Sequence, residues 1–261
     1  MIRIVCLWCL LMFQSLSADE TTTSGATVMR FGTDATYPPL VMMTASRQVT
    51  GFETEALKII CTDLHWECKF THIEWDNLIP ALNYGNIDAI YGGIAITAAR
   101  KEQFLFTDPL LDESLAGIIT DDGFIAFTAD GLQNKTIGVQ TGSTFASYLA
   151  QNFPNVKVKR YVSIQDALLD LSARRIDLVF GDTPVLRYFK NSLPKDKQHV
   201  FFITGIDLTP GNRDFLGTGY GIGFLKTPDN EELVAIFNAA LAKFKTTPVF
   251  QNLKVKFGIN E

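Results

Sequence analysis

Cysteine is scarce in this chain, and what there is does not build a metal site. Four cysteines and three histidines occur in 261 residues. Cys6 and Cys9 sit inside the first apolar run, which leaves Cys61 and Cys68 with only His65 and His72 nearby, in no standard zinc spacing. Metal and cofactor are therefore not expected. Clusters of lysine and arginine are also missing, and the formal net charge is −5. A mildly acidic chain without a basic patch argues against nucleic acid and anionic membrane surfaces as partners. The sequence contains no H-E-x-x-H, no G-x-S-x-G and no Ser/His/Asp order, so the common hydrolase chemistries have no carrier. No segment reaches the roughly eighteen apolar residues that a membrane-spanning helix needs.

The one apolar run of note lies at the start, in "MIRIVCLWCLLMFQSLSA". Arg3 gives a short basic start, Ile4 to Phe13 is unbroken apolar, and Ser15, Ser17 and Ala18 are small. This three-part layout is that of a cleaved secretory signal over residues 1–18, and it predicts an exported, periplasmic protein. Removing 18 of 261 residues leaves 243 and takes away only Arg3, so 22 basic residues face 28 acidic ones. In an exported protein a lone pair of cysteines is most simply a disulfide, here one that would tie a helix to the next strand.

The remaining chain alternates strand-like and helix-like segments. "VMRFG" (28–32) reads as a strand, and "FETEALKIICTDL" carries Phe52, Ala56, Ile59, Ile60 and Leu64 at helical spacing. "ECKFTHI" (67–73) is strand-like again, "WDNLIPALNY" (75–84) helical, and "IDAIY" (87–91) suits a buried parallel strand. The segment "WDNLIPALNYGNIDAIYGG" (75–93) then lies over "IQDALLDLSARRIDLVFGD" (164–182) without a gap. A strand (135–140), a helix (144–153) and a strand (156–162) precede the second copy, so one β-α-β-α-β order occurs twice. Two similar α/β lobes with mostly parallel sheets follow. Lobe 1 is expected over 19–113 and 210–261 and lobe 2 over 114–209, with crossovers near Asp112–Leu115 and Leu208–Arg213.

In such sheets ligands bind beyond the carboxyl ends of strands. Those ends carry Asp34 and Tyr37, Gly92 and Gly93, Thr141 to Thr144, and Asp182. "QTGST" (140–144) opens a helix whose free N–H groups suit a carboxylate or phosphate, and Arg100 could fork onto a carboxylate. Asp182 follows the apolar "DLVFG", where an acid needs a cationic or N–H partner. Tyr37 and Trp75 supply flat faces, with Asp34 beyond them. The set outlines an anion site, an ammonium site and an aromatic slot ending in an acid, which fits a zwitterionic amino acid with a polar or positive side chain.

"GTDATYPP", "GFETEAL", "WDNLIPALNYGNIDAIYGGIAITAAR", "FTDPLLD", "GVQTGST", "IDLVFGD" and "GTGYGIGF" together resemble the periplasmic polar and basic amino-acid-binding proteins of ABC importers. The resemblance implies the two-lobed periplasmic-binding-protein fold of type II, a monomer that closes on its ligand by hinge motion, and delivery to a membrane permease and its ATPase. It implies that Arg100, with the backbone at Ala95 and Thr144, holds the ligand carboxylate, and that Asp182 with the Gly93 carbonyl holds the ammonium. Tyr37 and Trp75 would stack on the side chain and Asp34 would meet its end. Gly92 and Thr141 complete the expected lining, and the Cys61–Cys68 spacing also resembles the disulfide of some basic-amino-acid members. Gly93 and Ala95 depart from the family, several members of which carry Ser or Thr hydroxyls there. Trp75 stands where many carry Phe, and Tyr91 replaces an aliphatic residue. Arginine is the first expectation, then lysine, ornithine or histidine. A glutamine-type binder, or an enzyme of the same fold such as cyclohexadienyl dehydratase, is the alternative.

Overall fold

The computed structural model describes residues 27–112, 116–206 and 209–259. The expected signal segment lies outside the described residues, as do parts of both expected crossovers. Within the described residues the chain begins with β1 (Val28–Thr33), whose alternating side chains bury Met29 and Phe31. A small three-stranded sheet follows, made of β2 (Thr36–Tyr37), β3 (Val41–Met43) and β4 (Val49–Thr50). Helix α1 (Phe52–Asp63) buries Phe52, Ala56, Leu57, Ile60 and Cys61 along one face. It leads into β5 (Glu67–His72), α2 (Trp75–Asn83), β6 (Ala89–Ile90), α3 (Ala98–Gln103) and β7 (Phe104–Phe106).

The chain then builds a second sheet from β8 (Ala116–Thr120) and β9 (Thr136–Gln140), with α4 (Thr144–Asn152), β10 (Lys157–Tyr161), α5 (Ile164–Ser172) and β11 (Leu178–Asp182). Helices α6 (Thr183–Ser192) and α7 (Lys195–Gln198), strand β12 (Phe202–Gly205) and helix α8 (Pro210–Leu216) complete that lobe. The chain returns to the first sheet as β13 (Gly223–Leu225) and ends in α9 (Pro228–Lys245) and α10 (Pro248–Lys256). Among the described residues no single helix is long and apolar enough to cross a membrane.

The doubled β-α-β-α-β order seen in the sequence is present as two matching sheets. Their strand orders are β5-β1-β6-β13-β7 and β10-β9-β11-β8-β12. In each, the first strand of the repeat lies in parallel between its two successors. The neighbouring strand, β13 or β8, is antiparallel and comes from the segment next to a crossover. Helix α8 lies at the start of the 210–261 segment expected for lobe 1, and it packs with lobe 2. Leu216 joins the apolar cluster of Ile137, Leu149 and Phe180, and Tyr148 Oη donates to Asn212 Oδ1 at 3.0 Å. Its apolar end is buried there, so the return to lobe 1 comes after Leu216. At that point the backbone of Thr218–Gly221 bonds to Ile94, Ile96, Leu110 and Leu111.

Phe31 anchors the first lobe, with Phe70, Tyr91 and Phe237 around it at centroid distances of 5.4, 6.0 and 6.1 Å. Fully burying one such ring contributes about 1.5–3 kcal/mol. Tyr91, which the sequence placed at a strand end, is wholly buried in this cluster, and its hydroxyl meets Thr54 Oγ1 at 3.0 Å. Its bulk fills lobe 1 and does not narrow the cleft.

Cys61 on the last turn of α1 is bonded to Cys68 on β5, so the helix is tied to the strand paired with β1. Replacing both by serine frees a loop of about eight residues, which the chain-entropy relation values at roughly 2.5 kcal/mol. The expected result in a urea titration is a lower midpoint at nearly unchanged slope.

Candidate functional site

The ends of β1, β6, β9 and β11 converge on a cleft between the lobes. Asp34, Tyr37, Trp75, Gly92, Gly93, Ala95, Arg100, Thr144 and Asp182 line it. Thr141 does not. Its N–H donates to Tyr161 O at 2.8 Å and so extends the β9–β10 ladder beside the cleft.

Asp182 ends β11 and is also the N-cap residue of α6, but its carboxylate makes no capping bond. It reaches the first lobe instead. Tyr37 Oη donates to Asp182 Oδ2 at 2.5 Å, and Tyr220 Oη donates to Oδ1. Burial lifts the carboxyl to about 6, against the pull of the Tyr220 and Tyr37 hydroxyls and of the Arg100 charge. Burial, together with the neighbouring Asp182, raises the Tyr37 phenol well above its ordinary range, so it stays a proton donor.

Asp34 follows β1 and is 7 % exposed. Its Oδ1 accepts from Thr36 N at 3.2 Å and from Thr36 Oγ1 at 2.8 Å, and its Oδ2 accepts from Gln140 Nε2 of the other lobe at 3.2 Å. His72 Nδ1 lies 4.0 Å from Oδ1. That nitrogen accepts the Ala35 N–H at 3.1 Å, so it carries no proton and the contact is no ion pair. Asp34 is thus held by neutral donors.

Arg100 sits in the first turns of α3, where Thr97 caps the helix by accepting its N–H. Its Nη1 donates to Ala95 O at 3.0 Å, and its guanidinium lies 5.5 Å from the Trp75 ring centroid. Burial lowers its pKa to about 10, with Asp182 and Tyr37 pulling the other way. The start of α4 faces the same space. Ser143 Oγ caps that helix by accepting from Ala146 N at 3.2 Å, while Thr144 and Phe145 line the cleft.

Gly92 and Gly93 both have positive φ, 105° and 68°. A Cβ on Gly92 would lie 2.3 Å from Thr33 Oγ1, and one on Gly93 would lie 3.0 Å from the Tyr37 ring. The absence of a hydroxyl side chain at 93 therefore has a cause: the Tyr37 ring takes that space. Behind the pair, Glu53 Oε2 accepts from Gly92 N and Oε1 from Gly93 N, both at 2.9 Å.

Tyr220, Gln140, Phe145 and Glu53 have roles at or behind the cleft that the reading of strand ends did not assign. Gln140 stands within "QTGST". Tyr220 lies in "GTGYGIGF", far along the chain, and only the Thr218–Gly221 pairing with lobe 1 brings it to Asp182.

Comparison with known proteins agrees with this geometry. An arginine-binding protein of an ABC transporter from Escherichia coli K12 is 35% identical over 230 residues, 88% of this chain and 90% of that protein. The arginine-binding periplasmic protein of Mannheimia haemolytica is 35% identical over 225 residues, 86% of this chain and 88% of that protein. The structure of a Salmonella typhimurium periplasmic binding protein described for its high arginine specificity superposes with a TM-score of 0.78 at 29% identity, covering 89% of this chain and 99% of that one. The profile that matches residues 29–260 gives the family, and the chain belongs to the bacterial extracellular solute-binding proteins, family 3.

Proposed function

We propose that this protein is a periplasmic receptor that closes over a basic L-amino acid, arginine before lysine, ornithine or histidine, and delivers it to the permease of an ABC importer. The charge inventory of the cleft carries this reading. Its lining holds two carboxylates, Asp34 and Asp182, and one guanidinium, Arg100. The complement of that set is a molecule with two cations and one carboxylate, which describes a basic amino acid. The arginine-binding names of the relatives support the same reading.

Arg100 and the backbone at Ala95 and at the start of α4 would take the α-carboxylate, with Trp75 bracing the guanidinium. Asp182 and the Gly93 carbonyl would take the α-ammonium. Tyr37 would lie along the side chain, and Asp34, which has only neutral donors of its own, would meet the distal cation. The role is binding and handover, with no residue assigned to catalysis. A glutamine-type ligand is the second reading, because Asp34 already accepts a hydrogen bond from an amide, that of Gln140. Calorimetry against the twenty amino acids and ornithine decides between them. Arginine is expected to bind most tightly; glutamine binding more tightly selects the second reading, and no heat from any of them rejects both.

Asp34→Asn should weaken arginine about 10- to 100-fold, since a hydrogen bond to a charged group contributes roughly 1.5–3 kcal/mol, and should leave glutamine nearly unchanged. Equal losses for both ligands would mean that Asp34 shapes the loop and reads no charge. Arg100→Ala should remove binding of every amino acid, because unpairing a buried charge costs roughly 2–5 kcal/mol; retained micromolar affinity would reject its role.

The pH dependence follows from Asp182. Its carboxyl in the free protein titrates at about 6, above the ordinary carboxylate range, and only the ionised form pairs with an ammonium. Affinity should fall as pH drops through 6, by at least about tenfold at pH 5. At pH 6 binding should release at least about half a proton per ligand, read from the dependence of the heat on buffer ionisation enthalpy. A buffer-independent heat at pH 6 would contradict the pairing.

A further inference from the structure

Glu53 is a buried acid, 2 % exposed, on the first turn of α1, and it does not line the cleft. Both of its oxygens are committed to two consecutive backbone N–H groups, those of Gly92 and Gly93. Its own position is fixed by the turn that precedes it. The Phe52 and Glu53 N–H groups, unpaired within the helix, donate at 2.9 Å to the carbonyls of Pro39 and Leu40. The peptide plane is rigid and trans, so the Gly93 N–H and the Gly92 C=O point in opposite directions. With the N–H held on Glu53, the Gly92 carbonyl is turned away from the acid. The positive φ of both glycines then sets where the following Gly93 carbonyl lies. The same geometry seats the Tyr37 ring against Gly93 and carries the Tyr37 hydroxyl to Asp182.

We infer that Glu53 is a positioning residue for recognition of the ligand's α-ammonium: it clamps the Gly92–Gly93 backbone from behind, so that its carbonyls and the Tyr37–Asp182 pair face the amino group together. The inference rests on the amino-acid-binding reading and adds to it the residue that sets this subsite. A neutral amide cannot replace the carboxylate here. The two N–H donors need two acceptor oxygens, and glutamine offers one oxygen and one NH₂. The charged groups around Glu53 agree with a coupled role. Burial pushes its carboxyl up to about 7, the Gly93 and Gly92 N–H groups pull it down, and Asp182 across the cleft raises it further. The buried Tyr91 hydroxyl, bonded to Thr54, also feels its charge. An ammonium placed between Glu53 and Asp182 would favour the ionised form.

The test compares arginine with 5-guanidinopentanoate, which keeps the carboxylate and guanidinium and has hydrogen in place of the α-ammonium. The full chain should prefer arginine by about 100-fold or more, as expected for a charge-assisted contact. In Glu53→Gln this preference should shrink at least about tenfold while the affinity for the des-amino compound stays within about threefold. A preference unchanged from the parent would overturn the inference and leave Glu53 a structural acid. A parent chain with no preference at all would instead defeat the amino-acid reading. The unmodified protein gives a second readout that needs no variant to fold. The amide resonances of Gly92 and Gly93 should titrate together, with a midpoint near 7, and saturating arginine should move that midpoint down by about one pH unit or more. A midpoint that arginine does not move would also overturn the inference.

Discussion

The two lobes meet at a carboxylate that cannot be left alone. Asp182 rises from the end of β11 in the second lobe, is buried, and takes its two hydroxyl partners from the first. A buried acceptor that loses such a partner costs about 1–3 kcal/mol, and more when it is charged. Contact between the lobes and satisfaction of Asp182 are therefore joined in this structure. Tyr37 must stand where the turn after Asp34 places it, and Tyr220 must be carried back from the second crossover. The start of α6 also has to forgo the capping bond that an aspartate at that position would normally make. In the proposed reading a ligand ammonium joins this arrangement and completes it.

The remaining contacts across the cleft follow from the duplicated topology. Each lobe presents the carboxyl ends of parallel strands, so chemistry from β1 and β6 faces chemistry from β9 and β11 without any long excursion of the chain. Gln140 ends β9 and donates to Asp34 just past the end of β1, which makes one amide a bridge between equivalent points of the two sheets. The same amide donates to Val162 O at 3.1 Å, so it is anchored in its own lobe before it crosses. Arg100 is placed differently, by a short capped helix after β6, with a carbonyl on one side and an indole face nearby.

Much of this was legible in the sequence, for physical reasons that also set its limits. The period of apolar residues marks β1, α1, β5 and α2 to within about two residues, because each buries one face. The gapless repeat of 75–93 in 164–182 announces the second sheet, because equal sheets need equal hydrophobic patterns. What does not show is any contact made by return of the chain. Tyr220 pairs with Asp182 across 38 residues, and its placement depends on backbone bonds to Ile94, Ile96 and Leu111 that leave no local pattern. Glu53 shows in the sequence as an acid that the enzyme alternative would use in the cleft, and only the folded loop at Gly92–Gly93 reveals that it holds backbone N–H groups behind it. The place of α8 was not legible for a similar reason: no local pattern tells which lobe covers Leu216.

The substitution of glycine and alanine at 93 and 95 then has a consistent explanation. A side chain at 93 would press on the Tyr37 ring, and Ala95 serves Arg100 through its backbone carbonyl, which any residue supplies. In the proposed reading the site would build its ammonium and carboxylate contacts largely from backbone, two tyrosines, one acid and one arginine. Such contacts answer to groups that every amino acid carries and cannot tell one from another. On that reading discrimination would fall to the far end of the slot, where Asp34 is buried among neutral donors. An acid placed so gains more from a cation than from a neutral amide, because burial has removed the water that would otherwise screen it. In the proposed reading the aromatic slot would supply reach, and the sign of the charge at its end the choice.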